Sequence, residues 1–255
     1  MVSIAHLGSR PLSHRCLKLM DQHPEVDVKA VVTYPEDHDG WWDGSLYDVA
    51  TDLGYPVVDE ADLFDYDLDY LVSTLYFNIL DEELLSHPTH GGLNLHQAEL
   101  PRYRGSNTFS HAIMNARDDD YWEYGTTFHF MSPEVDAGDI VARNFVDIEE
   151  TDTSKSLYKK IEDASVELFF EMLPKMVSGE VLELRTPQEE FDGESYFYSK
   201  ESLDGEKHIS LDNLSDPDSE AELFDQIRAL DFPPFEPAYT TINGEKVYLS
   251  LDYRK

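Results

Sequence analysis

The feature that most constrains how this chain can fold is an alternation running through its first hundred residues: short apolar runs of β character, each followed by helical spacing. VSIAHLG ends in Gly8 and gives way to a pattern that puts Leu12, Cys16, Leu19 and Met20 on one helical face. DVKAVVTYP returns to β character and closes at Pro35. SLYDVATDLG reads as a helix ending at Gly54, YPVVD as a short strand, LDYLVSTLY as an apolar strand, LDEELLSH as a helix and GGLNLH as the next strand. Strands that alternate with helices are joined by crossovers, so the expected fold class is α/β, a Rossmann-like, mainly parallel sheet covered by helices. Ligands of such sheets collect at the carboxyl ends of strands, near a topological switch point. Gly8-Ser9-Arg10, Tyr76-Phe77-Asn78 and Asn94 to His96 all fall at such ends, and one cleft could collect all three.

Beyond Gly105, NTFSHAIMNAR reads as a helix with Phe109, Ile113 and Met114 as its apolar members. GTTFHFMS and DIVARNFVDI read as strands joined through PEVDAG. A long amphipathic helix follows, with Leu157, Ile161, Ala164, Leu168 and Met172 as its buried stripe and Thr153 or Ser154 as its cap. Pro174 is expected to kink or end it. From about Pro187 turn signals multiply, and residues 187–255 read as a small α+β appendage to a first unit of residues 1–186. It holds one helix around Glu220 to Leu230 and a β-hairpin at Asn243-Gly244, a pair suited to the positive φ of a type I′ turn.

The charge is extreme: 53 acids against 19 bases, a net of −34, spread along the whole length rather than gathered in a tail. The simplest account is a densely solvated surface adapted to a salty cytoplasm, where screening shrinks self-repulsion; selection for a basic partner is the rival account. No nucleic-acid partner is expected, since phosphate binding relies on clustered Lys and Arg. Cys16 is the only cysteine, which excludes internal disulfides and Cys-rich metal sites; it reads as a small buried apolar residue. No window approaches a membrane span and the N-terminus lacks a basic, apolar leader, so a cytoplasmic protein without membrane association is expected.

Asn94 and His96 stand two apart on a predicted strand, so their side chains share one face. An amide donor beside an imidazole at a strand end can stabilise an oxyanion and move a proton. The same pair is also ordinary turn chemistry or a satisfied hydrogen-bond cluster. Asp136, in VDAGD before Gly138, could orient His96, favour its protonated form or take a proton through water; an Asp before a Gly is equally a routine turn former.

Taken together, NLHQAELPRYRG, SHAI, GTTFHF, DAGDIVA and DTSKSLYKKI resemble, in order and spacing, the formyltransferase family that uses 10-formyltetrahydrofolate. The resemblance extends through HLGSRPLSHRCLKLM, STLYFNIL, RGSNTFSHAIMN and LDFPPFEPAY to nearly the whole chain. In those stretches it is most similar to the branch that formylates amino groups of nucleotide-linked sugars. It implies the formyltransferase fold, a catalytic trio of Asn94, His96 and Asp136, acyl transfer without a covalent enzyme intermediate, and no metal. It also implies 10-formyltetrahydrofolate as co-substrate, with Tyr76, Phe77, Leu80 and Asp139 as candidates for holding it. Arg10, Arg102 and Arg104 are the candidates for an anionic substrate, and a homodimer is implied. In this picture Leu100-Pro101 and Gly105 turn the chain beneath the cleft. Phe232, Phe235 and Tyr239 either stack on a base or pack the appendage, and packing is the expectation.

Departures from the family pattern are Gln97-Ala98 where many relatives have Pro-Ser, a longer acidic ARDDDYWEYG segment, and DAGD for Asp-Thr-Gly-Asp. Within the same superfamily the rivals are methionyl-tRNA formyltransferase, glycinamide ribonucleotide formylation and a formate-releasing hydrolase. A non-catalytic folate-binding protein is the rival from another class.

Overall fold

The computed structural model describes residues 1–211 and 217–251. Its elements in chain order are β1 (Val2–Gly8), α1 (Pro11–Gln22), β2 (Val26–Val32), α2 (Leu46–Asp52), β3 (Tyr70–Thr74), α3 (Glu82–Leu85) and β4 (Gly92–His96). Then follow β5 (Tyr103–Gly105), α4 (Thr108–Asn115), β6 (Glu123–Phe130), β7 (Ile140–Asp147), α5 (Ser154–Ser178), β8 (Tyr196–Tyr198), α6 (Pro217–Ala229), β9 (Tyr239–Ile242) and β10 (Glu245–Tyr248). The expected alternation becomes a six-stranded sheet in the order β2-β1-β3-β4-β6-β7. The first four strands are parallel, β6 runs antiparallel to β4, and β7 antiparallel to β6. From β1 the chain first builds outward to β2, then crosses to β3 on the other side of β1, which makes the β1/β3 boundary the switch point.

Strand alternation divides the core between two faces. On one, Leu12, Cys16, Leu17 and Met20 of α1 and Leu168, Phe169 and Met172 of α5 cover Ile4, Val28, Leu93 and Leu95. On the other, Leu63, Leu80 and Leu84 cover Ala5, Leu7, Ala30, Val32 and Leu71. Each such aliphatic side chain contributes about 1.5–3 kcal/mol by leaving water. Cys16 is buried, as expected.

Helix α5 starts where expected, with Thr153 Oγ1 accepting from the Ser156 N–H at 3.1 Å, but it does not stop at Pro174. It continues to Ser178 and is closed by Gly179 at φ 79°. Pro174 deprives the Phe170 carbonyl of its partner, and Phe170 is 65% exposed, so water can replace the missing bond. Leu173 and Met176, buried on either side, hold both halves against the sheet.

Three other expectations shrink or change. YPVVD contributes a single parallel bridge, Val31 to Val57, and LDEELLSH only the short α3, with Asp81 as its cap. The Tyr103–Gly105 stretch, expected as a turn, pairs in parallel with β8 and so hydrogen-bonds the chain after Pro187 to the loop below β4. The hairpin forms as expected, with Asn243 and Gly244 both at positive φ, 51° and 83°. Tyr239 packs there against Tyr248 and His208. The fully buried Arg228 of α6 donates Nη1 to the carbonyls of Glu149 and Asp152, at 3.1 and 3.0 Å, and so pins α6 to the start of α5. Among the described residues no helix is long and apolar enough to cross a membrane.

Candidate active site

A cleft of about 830 Å³ opens at the carboxyl ends of β1, β3 and β4 and collects all three segments singled out above. The loop after β3 begins at Leu75 with φ 54°, an unusual value for a bulky residue. Ser9, just past β1, holds it there by donating its hydroxyl to the Leu75 carbonyl at 2.7 Å.

The cluster of Asn94, His96 and Asp136 is built from two strands and a turn. Asn94 lies opposite His129 in the antiparallel β4/β6 pair, and Asn94 Nδ2 is 3.0 Å from His129 Nε2. His129 Nδ1 lies 2.8 Å from the Phe130 carbonyl, which can only accept, so Nδ1 carries the proton and Nε2 accepts from Asn94. Burial lowers the His129 pKa to about 4, which keeps the ring neutral. His129 therefore fixes the amide of Asn94 and takes one of its two hydrogens.

The same reasoning sets His96. Its Nε2 is 3.1 Å from the Tyr103 carbonyl and must donate, and its Nδ1 faces Asp136 Oδ1 at 3.7 Å. Asp136 sits at φ 51°, and its Oδ2 accepts from the Gly105 N–H at 3.0 Å. Burial pushes its carboxyl up, but His96, His129, the Gly105 N–H and Arg104 together outweigh burial and hold it below the usual carboxylate range. Gly138 permits the turn for a reason other than φ: a Cβ there would lie 1.9 Å from the Phe130 carbonyl oxygen. The result is an imidazole whose Nδ1 faces a buried carboxylate, beside an amide with one hydrogen to spare.

One part of the cleft wall is apolar, with Tyr76, Phe77, Leu80, Leu85 and Met131. The Tyr76 hydroxyl is taken by Glu60 at 2.5 Å, and the Phe77 ring stacks on Tyr34 at 3.9 Å. Another part is aromatic and basic. Arg10 lies over Trp41 and Trp42, at 5.3 and 5.7 Å from the ring centroids. Burial lowers the pKa of its guanidinium, an effect Tyr158 and Tyr34 partly offset. Lys200 and Lys207 also line the wall, and Lys155 lies 4.6 Å from the Trp41 centroid.

The structure does not bring Arg102, Arg104 or Asp139 into this wall. Arg102 is buried against Asp119 at 2.5 Å and over Tyr121 at 4.2 Å, so it pairs with a local acid. Arg104 faces Glu134 at 3.6 Å, and Asp139 accepts from Arg185 at 3.2 Å. Missed from sequence were His129, Trp41, Trp42, Lys200 and Lys207. The two tryptophans carried a readable signal, standing just past the end of a predicted strand. Among the described residues no group of His, Cys, Asp and Glu is arranged to hold a metal ion.

Fold and site together define an α/β protein whose switch-point cleft holds an amide, an imidazole and a carboxylate, equipped for proton transfer and oxyanion stabilisation. Comparison with known proteins makes the assignment specific. The model of the formyl transferase family matches residues 57–173, and that of the N-formyltransferase dimerization C-terminal domain matches residues 213–255. The chain belongs to the formyltransferase family. Its structure is similar to that of a 4-N formyltransferase from Francisella tularensis, with a TM-score of 0.80 and 20% identity over 100% of this chain and 98% of that one. It is also similar to an N-formyltransferase from Helicobacter canadensis in complex with folinic acid and dTDP-3-aminofucose, at TM-score 0.75 and 20% identity, covering 97% of this chain and 86% of that one. A phosphoribosylglycinamide formyltransferase from Anaplasma phagocytophilum matches 70% of this chain and 88% of its own, at TM-score 0.58 and 20% identity.

Proposed function

We propose that the protein transfers a formyl group from 10-formyltetrahydrofolate to the amino group of a nucleotide-linked amino sugar. The observation that carries this reading is the distribution of unpaired cations. In a chain with 53 acids and 19 bases, most described Lys and Arg side chains lie against a carboxylate. Among the described residues six cations form no ion pair within 4.0 Å; four of them, Arg10, Lys155, Lys200 and Lys207, lie in or against the wall of one cleft, and the other two, Lys18 and Lys159, do not line it. A diphosphate is the anion such a group suits. The apolar wall of Tyr76, Phe77 and Leu80 suits the flat ring of the donor, and the Helicobacter neighbour with its folate and nucleotide sugar supports the same pairing.

The residues then act as follows. Formyl transfer puts negative charge on the formyl oxygen as an uncharged amine attacks the formyl carbon. The second amide hydrogen of Asn94, the one His129 does not take, donates to that oxygen. The proton leaving the amine passes through water to Nδ1 of His96, where Asp136 stabilises the imidazolium. Both ring nitrogens are then engaged, by Tyr103 and Asp136, so His96 acts on the oxyanion through its charge rather than by a direct bond. Collapse of the tetrahedral adduct breaks the bond from the formyl carbon to N10 of the folate; that nitrogen takes the proton back from His96 through the same water, and tetrahydrofolate and the formylated amine leave with no covalent enzyme intermediate.

The acid excess is read as adaptation to a salty cytoplasm, and residues 1–186 as the catalytic unit. The C-terminal hairpin, which leaves Ile242, Val247 and Tyr248 at 51%, 40% and 54% exposure, is read as the dimer contact. The test is a high-salt assay with 10-formyltetrahydrofolate and a panel of nucleotide-linked 3- and 4-amino sugars, followed by mass spectrometry. A formylated sugar, lost in His96→Ala, establishes the reading. Folate turnover without a formylated sugar indicates a hydrolase. No turnover at all sends the search to tRNA and glycinamide ribonucleotide, and then to a non-catalytic folate-binding role.

A further inference from the structure

Two exposed aromatic rings belong to the cleft wall, Phe197 and Phe235. Phe235 is 52% exposed although Trp41 and Phe232 both pack against it, at centroid distances of 5.6 and 5.7 Å and interplanar angles of 69° and 54°. Those tilted contacts fix the ring's orientation and leave much of it uncovered. The other two aromatic residues of this stretch are committed elsewhere. Phe232 packs on Trp41 and Tyr158, and Tyr239 lies inside the hairpin.

Trp41 connects this uncovered ring to charge. The ring that packs against Phe235 is the one over which Arg10 and Lys155 lie, at 5.3 and 4.6 Å. An aromatic surface therefore stands one ring away from cations that have no carboxylate partner among the described residues. Cations beside an open aromatic face match a diphosphate joined to a flat heterocycle. A sugar offers only a puckered C–H face, a poorer match to an aromatic ring than a planar base, and the donor's ring is assigned to the Tyr76, Phe77 and Leu80 wall. Phe197, by contrast, is held by β8 against β5, away from the Trp41 cluster.

Resting on the nucleotide-linked acceptor proposed above, we infer that Phe235 is the platform on which the acceptor's nucleobase stacks, with Trp41 and Phe232 fixing its distance from the phosphate-binding cations. Stacking uses the face of a base and not its edges, so it adds affinity with little discrimination among bases. Replacing a stacking ring typically weakens binding by about 5- to 150-fold.

The experiment compares two acceptors, an amino sugar linked to a nucleoside diphosphate and the same sugar as its 1-phosphate, in wild type, Phe235→Ala, Phe235→Leu, Phe235→Trp and Phe197→Ala. Phe235→Ala and Phe235→Leu are expected to raise KM for the nucleotide-linked acceptor about tenfold or more at unchanged kcat, leaving KM for the 1-phosphate alone. Phe235→Trp should retain wild-type KM, and Phe235→Leu keeps the bulk, so a hollowed wall cannot explain its loss. The inference is overturned if Phe235→Leu leaves KM for the nucleotide-linked acceptor unchanged, if both acceptors weaken together, or if Phe197→Ala alone gives the base-dependent loss. Should wild type formylate neither acceptor, the acceptor assignment fails on its own account. Calorimetry with thymidine or uridine diphosphate then decides the stack: weaker binding by Phe235→Leu supports it and equal binding overturns it.

Discussion

Replacing Asp136 by Asn isolates the contribution of one charge. Asn tolerates the left-handed φ of 51° as readily as Asp, and its amide oxygen can still accept from the Gly105 N–H now bonded at 3.0 Å, so the turn should persist. What disappears is a negative charge 3.7 Å from Nδ1 of His96. Two unit charges about 4 Å apart at an effective dielectric of about 20 interact by about 4 kcal/mol. In the mechanism proposed above His96 takes up a proton as the reaction proceeds, so the loss falls on the transition state and not on substrate binding. At about 1.4 kcal/mol per decade, kcat should fall by roughly three orders of magnitude, with KM for both substrates within about threefold of wild type. The assay is steady-state formyl transfer, with near-UV circular dichroism confirming that the cleft keeps its packing. A kcat loss below about tenfold, or a rise in KM at unchanged kcat, would refute the reasoning and reduce Asp136 to an anchor for Gly105.

Removing the other support of the cluster, His129→Ala, frees the Asn94 amide to rotate; kcat should fall by about tenfold or more with little change in KM, measured in the same assay. His6, His111 and His129 are buried, and burial takes each pKa from the ordinary 6.5 to about 4. In that window the unfolded chain binds protons that the native one does not, so their effect is absent above pH 6.5 and stability falls as pH drops from 6.5 towards 4. At constant high salt, the thermal midpoint should therefore decline across this window with proton uptake on unfolding; a flat profile would contradict it. The two arginines near the site should separate cleanly. Arg10→Ala should raise KM for the anionic acceptor about tenfold or more without loss of stability, whereas Arg102→Ala should leave KM alone and cost about 3 kcal/mol in denaturant unfolding, because it leaves the largely buried Asp119 carboxylate with no cation and only the Tyr196 hydroxyl.

The sheet was legible because its periodicities are local: each strand and helix of the first half announces itself within a dozen residues. So was the shared face of Asn94 and His96, a consequence of strand geometry alone. His129 was not, because its place opposite Asn94 is a matter of register between β4 and β6, which no local pattern fixes. Arg102 and Arg104 looked like substrate ligands through nearness in sequence, yet the local acids Asp119 and Glu134 claim them. Lys200 and Lys207 lie a hundred residues away along the chain and join the cleft wall only through folding. Pro174 illustrates the opposite case: the helix does not end there, because water can satisfy the one carbonyl it orphans.

The parallel pairing of β5 with β8 bears on how this protein can be taken apart. Gly105, whose N–H holds Asp136, is the last residue of β5, and a Cβ there would lie 2.2 Å from the Tyr198 carbonyl oxygen. The Asp136 carboxylate is thus located partly by backbone from the far side of residue 187. A truncated chain ending there would keep Asn94, His96 and Asp136 and lose the brace that sets their geometry. Exchanging C-terminal segments between relatives, to swap acceptor preference, would then also alter the rate of chemistry.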